Sequence, residues 1–123
     1  MARIGIIGSA GRMGQALVEA IAAAGATLAG GVDQGGDVAA LAAASNALVD
    51  FSHPDALEAN LDAAVAAGVP ILDGTTGLEE RHRWLCDHAA QEIPVLQTGN
   101  TSLGVNMLVH LVREAAQIGR AHV

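Results

Sequence analysis

Three glycines stand three residues apart in the stretch GIIGSAGRMG: Gly8, Gly11 and Gly14, with Ser9 and Ala10 in the first gap and Arg12 and Met13 in the second. A β-branched run, Ile4 to Ile7, leads in, and a helix-forming run, Gln15 to Ala24, leads out. Between a strand and a helix this spacing has a physical use. The first glycine permits a tight turn, the next lets a pyrophosphate approach the backbone, and the third lets helix and strand pack closely. The free N–H groups and the positive dipole end of the helix then hold the anion. Asp33 ends a second apolar run about 20 residues further on, where a carboxylate accepts hydrogen bonds from the adenosine ribose of NAD. The pattern is GxxGxxG, not GxGxxG, so a glycine turn without a ligand and a solvated strand-end aspartate stand as competing readings.

Two further polar clusters, DGTTGL (Asp73 to Leu78) and QTGNTSLGVN (Gln97 to Asn106), also follow apolar runs. Ligands of doubly wound sheets lie outside the carboxyl ends of the strands, where all four features fall. Each of the last two also reads as an ordinary turn with a helix cap, Thr76 or Asn100 serving as the cap. Gln34, beside Asp33, carries no positive charge to meet a 2′-phosphate, which favours NADH over NADPH, although Arg12 is able to supply that contact. Other chemistry is sparse. His82 and Cys86 lie four apart with no third or fourth ligand near them in the sequence, so no metal site is expected. His53, His88 and His110 read as surface or packing residues, His53 being nearest the presumed cleft. No Ser/His/Asp order or acid/base carboxylate pair emerges, and there is no lysine.

The elements that must position these residues follow from the pattern of the chain. At 123 residues, it suffices for one domain with a real core, burying about two-thirds of its unfolded surface. Aromatics make up 2% against 51% apolar residues overall, so the core is built from Ala, Val, Ile and Leu. Short apolar runs (RIGIIG, ATLAGGVD, ALVDFS, VPILDG, IPVLQTG) alternate with Ala-rich segments over Met13 to Ala24, Asp37 to Ala44, Pro54 to Ala67, Leu78 to Gln91 and Ser102 onward. Such alternation predicts an α/β fold, a Rossmann-like doubly wound parallel sheet with helices on both faces. Gly25 and Gly68 are placed to end helices, Pro54 to start one, and Leu57, Leu61, Ala64 and Val65 to form a buried stripe.

The net charge of −7, with no basic stripe, argues against a nucleic-acid or anionic membrane surface. No apolar run is long enough for a signal h-region or a membrane span, and the single cysteine excludes an internal disulfide. A cytoplasmic setting is the simplest. The last helix offers Leu108, Leu111, Val112 and Ala115 as its apolar face, then runs into QIGRAHV without a cap or a closing strand. We therefore expect a dinucleotide-binding domain over 1–117, incomplete at its C-terminal end. The tail 118–123 resembles translated adapter sequence and is expected to be non-native.

GSAGRMG, VDFSHP, DGTTGL and NTSLGVN, in that order and at those intervals, closely resemble the N-terminal part of bacterial 4-hydroxy-tetrahydrodipicolinate reductases, from Arg3 to about Gln117. The resemblance implies NAD(P)H-dependent reduction of 4-hydroxy-tetrahydrodipicolinate in the diaminopimelate route to lysine. It implies Gly8, Ser9, Ala10, Gly11, Arg12 and Met13 at the pyrophosphate, Asp33 at the ribose, Gly74, Thr75 and Thr76 on the nicotinamide side, and Thr98, Gly99, Asn100 and Thr101 in the loop beside the nicotinamide. Relatives often carry Arg at the position of Gln34 and Phe at that of Thr101. The family's catalytic His and Lys and its dicarboxylate-binding residues fall beyond this sequence, so no catalytic residue is assigned. A homotetramer is the family's usual state. Another two-domain nicotinamide dehydrogenase and a non-catalytic nucleotide- or CoA-binding module are the alternatives.

Overall fold

The computed structural model describes residues 2–33 and 35–121, with side chains described to 115. Five parallel strands, β1 (Arg3–Ile7), β2 (Thr27–Val32), β3 (Ala47–Asp50), β4 (Ile71–Asp73) and β5 (Val95–Gln97), pair in the order β2-β1-β3-β4-β5. Five helices connect or follow them: α1 (Gly11–Ala23), α2 (Val38–Ala43), α3 (Leu57–Ala67), α4 (Glu80–Ala89) and α5 (Thr101–Ala121). The order reverses between β1 and β3, so chains leaving these two neighbours depart in opposite directions and open a crevice at their carboxyl ends.

Strand alternation builds a core on each face. Ile4 and Ile6, Ala47 and Val49, and Leu72 meet Leu17 and Ile21 of α1 and Val105, Leu108 and Val109 of α5. The intervening Ile7, Leu48 and Ile71 meet Leu41 of α2, Leu57, Leu61 and Ala64 of α3, and Cys86 and Ala89 of α4. The doubly wound reading is thus met, with α1 and α5 on one side and α2, α3 and α4 on the other. Only the central strands are fully covered. At the edge, β2 leaves Leu28 exposed.

Local chemistry fixes the boundaries, with some departures from expectation. Gly25 and Gly68 follow α1 and α3 in left-handed conformation (φ +75° and +67°), as helix stops. Helix α1 starts at Gly11, two residues earlier than its composition suggests. Pro54–Ala56 forms a single 3-10 turn, its start capped by His53 Nδ1 accepting from the Asp55 amide at 3.2 Å. Gly-rich sequence does not prevent α2, because the Asp37 carboxylate accepts from the Ala40 amide at 3.0 Å. Asn100 caps α5 by accepting from the Leu103 amide at 3.0 Å, whereas Thr76 caps nothing. Glu79 does that work for α4, in a capping box with His82.

The apolar face of α5 lies a little earlier than its pattern suggests. Val105, Leu108 and Val109 are buried, while Ala115 is exposed. A helix of 21 residues spans about 31 Å, longer than strands of three to six residues, so its final turns overrun the sheet. It continues through Ala121, across the expected 117/118 boundary; residues 122 and 123 lie outside the described residues.

Candidate functional site

All five strands run the same way, so the loops after β1, β2, β4 and β5 emerge at one edge, together with the Phe51–His53 segment after β3. The three glycines of the first loop are there for different reasons. Gly8 holds φ +90° and a Cβ on it would meet the Phe51 carbonyl oxygen at 3.0 Å. Gly11 holds φ +84° with nothing within 4 Å of such a Cβ, so it faces open space. On Gly14 a Cβ would sit 1.9 Å from the Ser9 carbonyl oxygen, which makes it the point of closest approach between helix and turn. No side chain caps the first turn of α1, where Arg12 and Met13 are exposed.

Asp33 reaches this turn directly. Its Oδ1 accepts from the Ala10 amide at 2.9 Å and its Oδ2 from the Ser9 hydroxyl at 3.1 Å. The β1 and β2 loops therefore form one unit, which the Gly8 amide tightens by donating to the Val32 carbonyl at 2.8 Å. Gln34 lies outside the described residues.

The loops after β4 and β5 form the other part of the edge. Gly74, Thr75, Thr76, Thr98 and Gly99 line a cavity of about 380 Å3, with Asp73 and Gln97 at the strand ends below them. Gly74 packs under the Phe51 ring, where a Cβ would meet ring carbons at 2.1 Å. The Thr98 hydroxyl accepts from the Asn100 amide at 3.1 Å, turning the loop into α5. Thr101 donates to the Met13 sulfur at 3.5 Å, linking the starts of α5 and α1. The candidate cofactor-site residues within the described part of the chain, Gly8 to Met13, Asp33, Gly74 to Thr76 and Thr98 to Thr101, thus lie on this edge, in two groups joined by Met13 and Thr101.

A polar row beneath the loops, buried at Asp50 and Asp73 and exposed at Gln97, escaped sequence reasoning as a row. Asp50, Asp73 and Gln97 are register partners across β3, β4 and β5 and point toward α3 and α4. Asp50 is fully buried; its Oδ1 accepts from the Ser52 amide (2.9 Å) and hydroxyl (2.6 Å), and its Oδ2 from Asn60 Nδ2 (3.0 Å). Asp73 Oδ1 accepts from the Thr75 amide at 2.8 Å, setting the direction of the loop. Their place at the end of alternating apolar strands was the one available signal: Asp50 and Asp73 occupy inward positions where the pattern calls for an apolar residue.

His82 and Cys86 are both buried, and His82 Nδ1 accepts from the Glu79 amide at 2.8 Å, so that nitrogen serves the cap. No group of three metal-ligating side chains occurs among the described residues. Burial pushes the Cys86 thiol up to about 11, helped by the charges of Asp73, Asp87 and Asp50, which keeps it a protonated packing group at neutral pH. His53 and His110 are exposed, and His88 stacks on Trp84 with ring centroids 5.1 Å apart.

Burial chiefly, and the Asp50 charge with it, raise the Asp73 carboxyl above its ordinary 3.8, against the Thr75 amide and hydroxyl and His82, which favour the charge. The Thr75 hydroxyl acts by proximity, since it makes no hydrogen bond of good geometry. Folding therefore binds a proton here in the acid range. Asp73 contributes most favourably below its unfolded value, and that contribution is lost as the pH rises through the folded one. A side-chain carbonyl 13C titration should place its midpoint above 3.8, and a midpoint at or below 3.8 would contradict this environment.

A doubly wound parallel sheet whose glycine turn is held by the acid ending β2 defines a nucleotide-binding domain of the Rossmann-like class. The chain belongs to the family described as "Dihydrodipicolinate reductase, N-terminus", whose model matches residues 2–101. Among its relatives, the 4-hydroxy-tetrahydrodipicolinate reductase of Zymomonas mobilis subsp. mobilis is 47% identical over 121 residues, covering 93% of this chain and 48% of that protein. The enzyme of the same name from Alkaliphilus metalliredigens is 49% identical over 86 residues, covering 70% of this chain and 36% of that protein. The chain thus spans about half the length, or less, of these relatives. UDP-N-acetylglucosamine 3-dehydrogenase GnnA from Acidithiobacillus ferrooxidans shares the fold at a TM-score of 0.62 and 24% identity, over 76% of this chain and 37% of that one. No helix among the described residues is long and apolar enough to cross a membrane.

Proposed function

We propose that this chain is the nicotinamide-dinucleotide-binding part of a 4-hydroxy-tetrahydrodipicolinate reductase, an enzyme that reduces its substrate with NAD(P)H on the route to diaminopimelate and lysine. The observation that carries the reading is the carboxylate of Asp33 seated on Ser9 and Ala10, beside an α1 start with no side-chain cap and open space over Gly11. These residues fit a dinucleotide. Gly8 to Met13 cradle the pyrophosphate, with the N–H groups at the start of α1 as its donors because those of Gly8, Ser9 and Ala10 are taken by Val32 and Asp33, and Asp33 accepts from the ribose hydroxyls. The Gly74–Thr76 and Thr98–Thr101 loops flank the nicotinamide around their shared cavity.

The cofactor supplies the hydride, and this domain supplies its orientation. A 2′-phosphate brought to Asp33 meets a like charge, which favours NADH. The dicarboxylate substrate requires cationic, hydrogen-bonding partners. We assign those to the additional length that the relatives possess, along with the contacts of a homotetramer in the cytoplasm.

Calorimetric titration with NADH, NADPH and CoA tests the reading. NADH should bind more tightly than NADPH, and Asp33→Ala should weaken NADH by about 1–3 kcal/mol. Binding of CoA without either nicotinamide cofactor would refute it, and an unchanged NADH affinity in Asp33→Ala would remove Asp33 from the site.

A further inference from the structure

Two buried polar atoms below the Gly74–Gly77 loop complement each other. Asp73 and His82 are 2% and 1% exposed, and Asp73 Oδ2 and His82 Nε2 are without a hydrogen-bond partner among the described residues. Because His82 Nδ1 accepts from the Glu79 amide, the proton of a neutral ring sits on Nε2. One orphan is thus a donor and the other an acceptor. They belong to the same layer: Cys86, one turn after His82 on α4, accepts from Gln97 Nε2 at 3.6 Å, and Gln97 is the register partner of Asp73. His82 is also near enough to Asp73 to act on its carboxyl, favouring the carboxylate.

Of the other polar groups facing this space, the Thr75 hydroxyl is also without a partner, and it can donate to one lone pair of the Asp73 carboxylate while leaving another for His82; the rest are committed. Both oxygens of Asp50 are taken by Ser52 and Asn60, Gln97 reaches Cys86, and the Cys86 thiol stays protonated. The two atoms are not within bonding distance as the side chains stand, but a buried donor and acceptor left unmet are each costly, whereas the terminal torsion of an aspartate is soft, so a small turn of the carboxylate joins them.

We propose that His82 is a positioning residue for the Gly74–Gly77 loop: its Nε2–H donates to Asp73 Oδ2, while Asp73 Oδ1 holds the Thr75 amide. Helix α4 then locks the loop direction through one carboxylate, and the loop presents its backbone to its ligand in a fixed orientation. That this ligand is the nicotinamide half of the cofactor rests on the function proposed above.

Two variants separate the atoms of His82. Asparagine places an oxygen near the Nδ1 position and keeps the cap to Glu79 but has no group at Nε2; glutamine extends a donor to Nε2 and lacks the cap acceptor. In the ligand-free protein, amide hydrogen exchange at Thr75 should speed up roughly three- to tenfold in His82→Asn and stay near wild type in His82→Gln. NADH affinity should fall by a similar factor in His82→Asn alone, with the affinity for ADP-ribose, which lacks the nicotinamide, unchanged. Equal Thr75 exchange in the wild type and His82→Asn would overturn the proposal, as would faster exchange in both variants, which would point to the cap. If Thr75 exchange changes as expected while NADH and ADP-ribose affinities fall together, the positioning role stands and the nicotinamide assignment of the loop fails.

Discussion

Gly14→Ala should destabilise the fold by about 2–4 kcal/mol, lowering the melting temperature by roughly 10 °C in a chain of this size. The added Cβ lands 1.9 Å from the Ser9 carbonyl oxygen, so backbone has to move. Ser9 cannot yield easily. Its amide donates to the Val32 carbonyl at 3.3 Å, its hydroxyl donates to Asp33, and its Cβ lies where any side chain on Gly31 would stand, 2.6 Å away. Gly11→Ala is the informative contrast. Its Cβ meets nothing within 4 Å, and only the positive φ is strained, at about 1–2 kcal/mol. Thermal melts of the two variants check the ranking, and a Gly14→Ala protein as stable as Gly11→Ala would mean that α1 does not press on the turn.

Asp50→Ala should cost about 2–3 kcal/mol in denaturant unfolding, although it removes a buried charge and relieves repulsion on Asp73. The balance is set by what the carboxylate leaves behind. Asn60 Nδ2, 2% exposed as a residue, loses its 3.0 Å acceptor, and the Ser52 amide and hydroxyl lose theirs. Ser52 Oγ at 3.3 Å offers Asn60 only a partial substitute. Ser52→Ala removes the hydroxyl's bond to Asp50 and the longer one it accepts from Asn60, and should cost about 1 kcal/mol because Asn60 keeps its bond to Asp50. An Asp50→Ala protein within 1 kcal/mol of wild type would show that the network is dispensable and that β3 and α3 are held by their apolar contacts alone.

Most of the architecture was legible in the order of residues because its signals are local. β-Branched runs separated by Ala-rich segments specify alternating strands and helices, and right-handed crossovers leave few arrangements of them. Gly25 and Gly68 mark helix stops because left-handed backbone suits glycine. Boundaries were less legible where caps compete. Thr76 looked as suitable as Asn100, and only the path of the loop after β4 gave the start of α4 to Glu79 and His82.

The glycine spacing, the acid after β2 and the polar segments after β4 and β5 by themselves determined a nucleotide-binding α/β chain and the residues at its carboxyl edge. Each of these is a short-range requirement for a turn, a cap or an anion, written in neighbouring residues. Tertiary structure alone decided that Asp33 closes onto Ser9 and Ala10, that Met13 meets Thr101, and that Asp50, Asp73, His82 and Cys86 share one buried layer. Those relations depend on strand order and register, which join residues far apart in the chain. The same burial that packs the core also makes every polar group within it find a partner or bear the cost of having none.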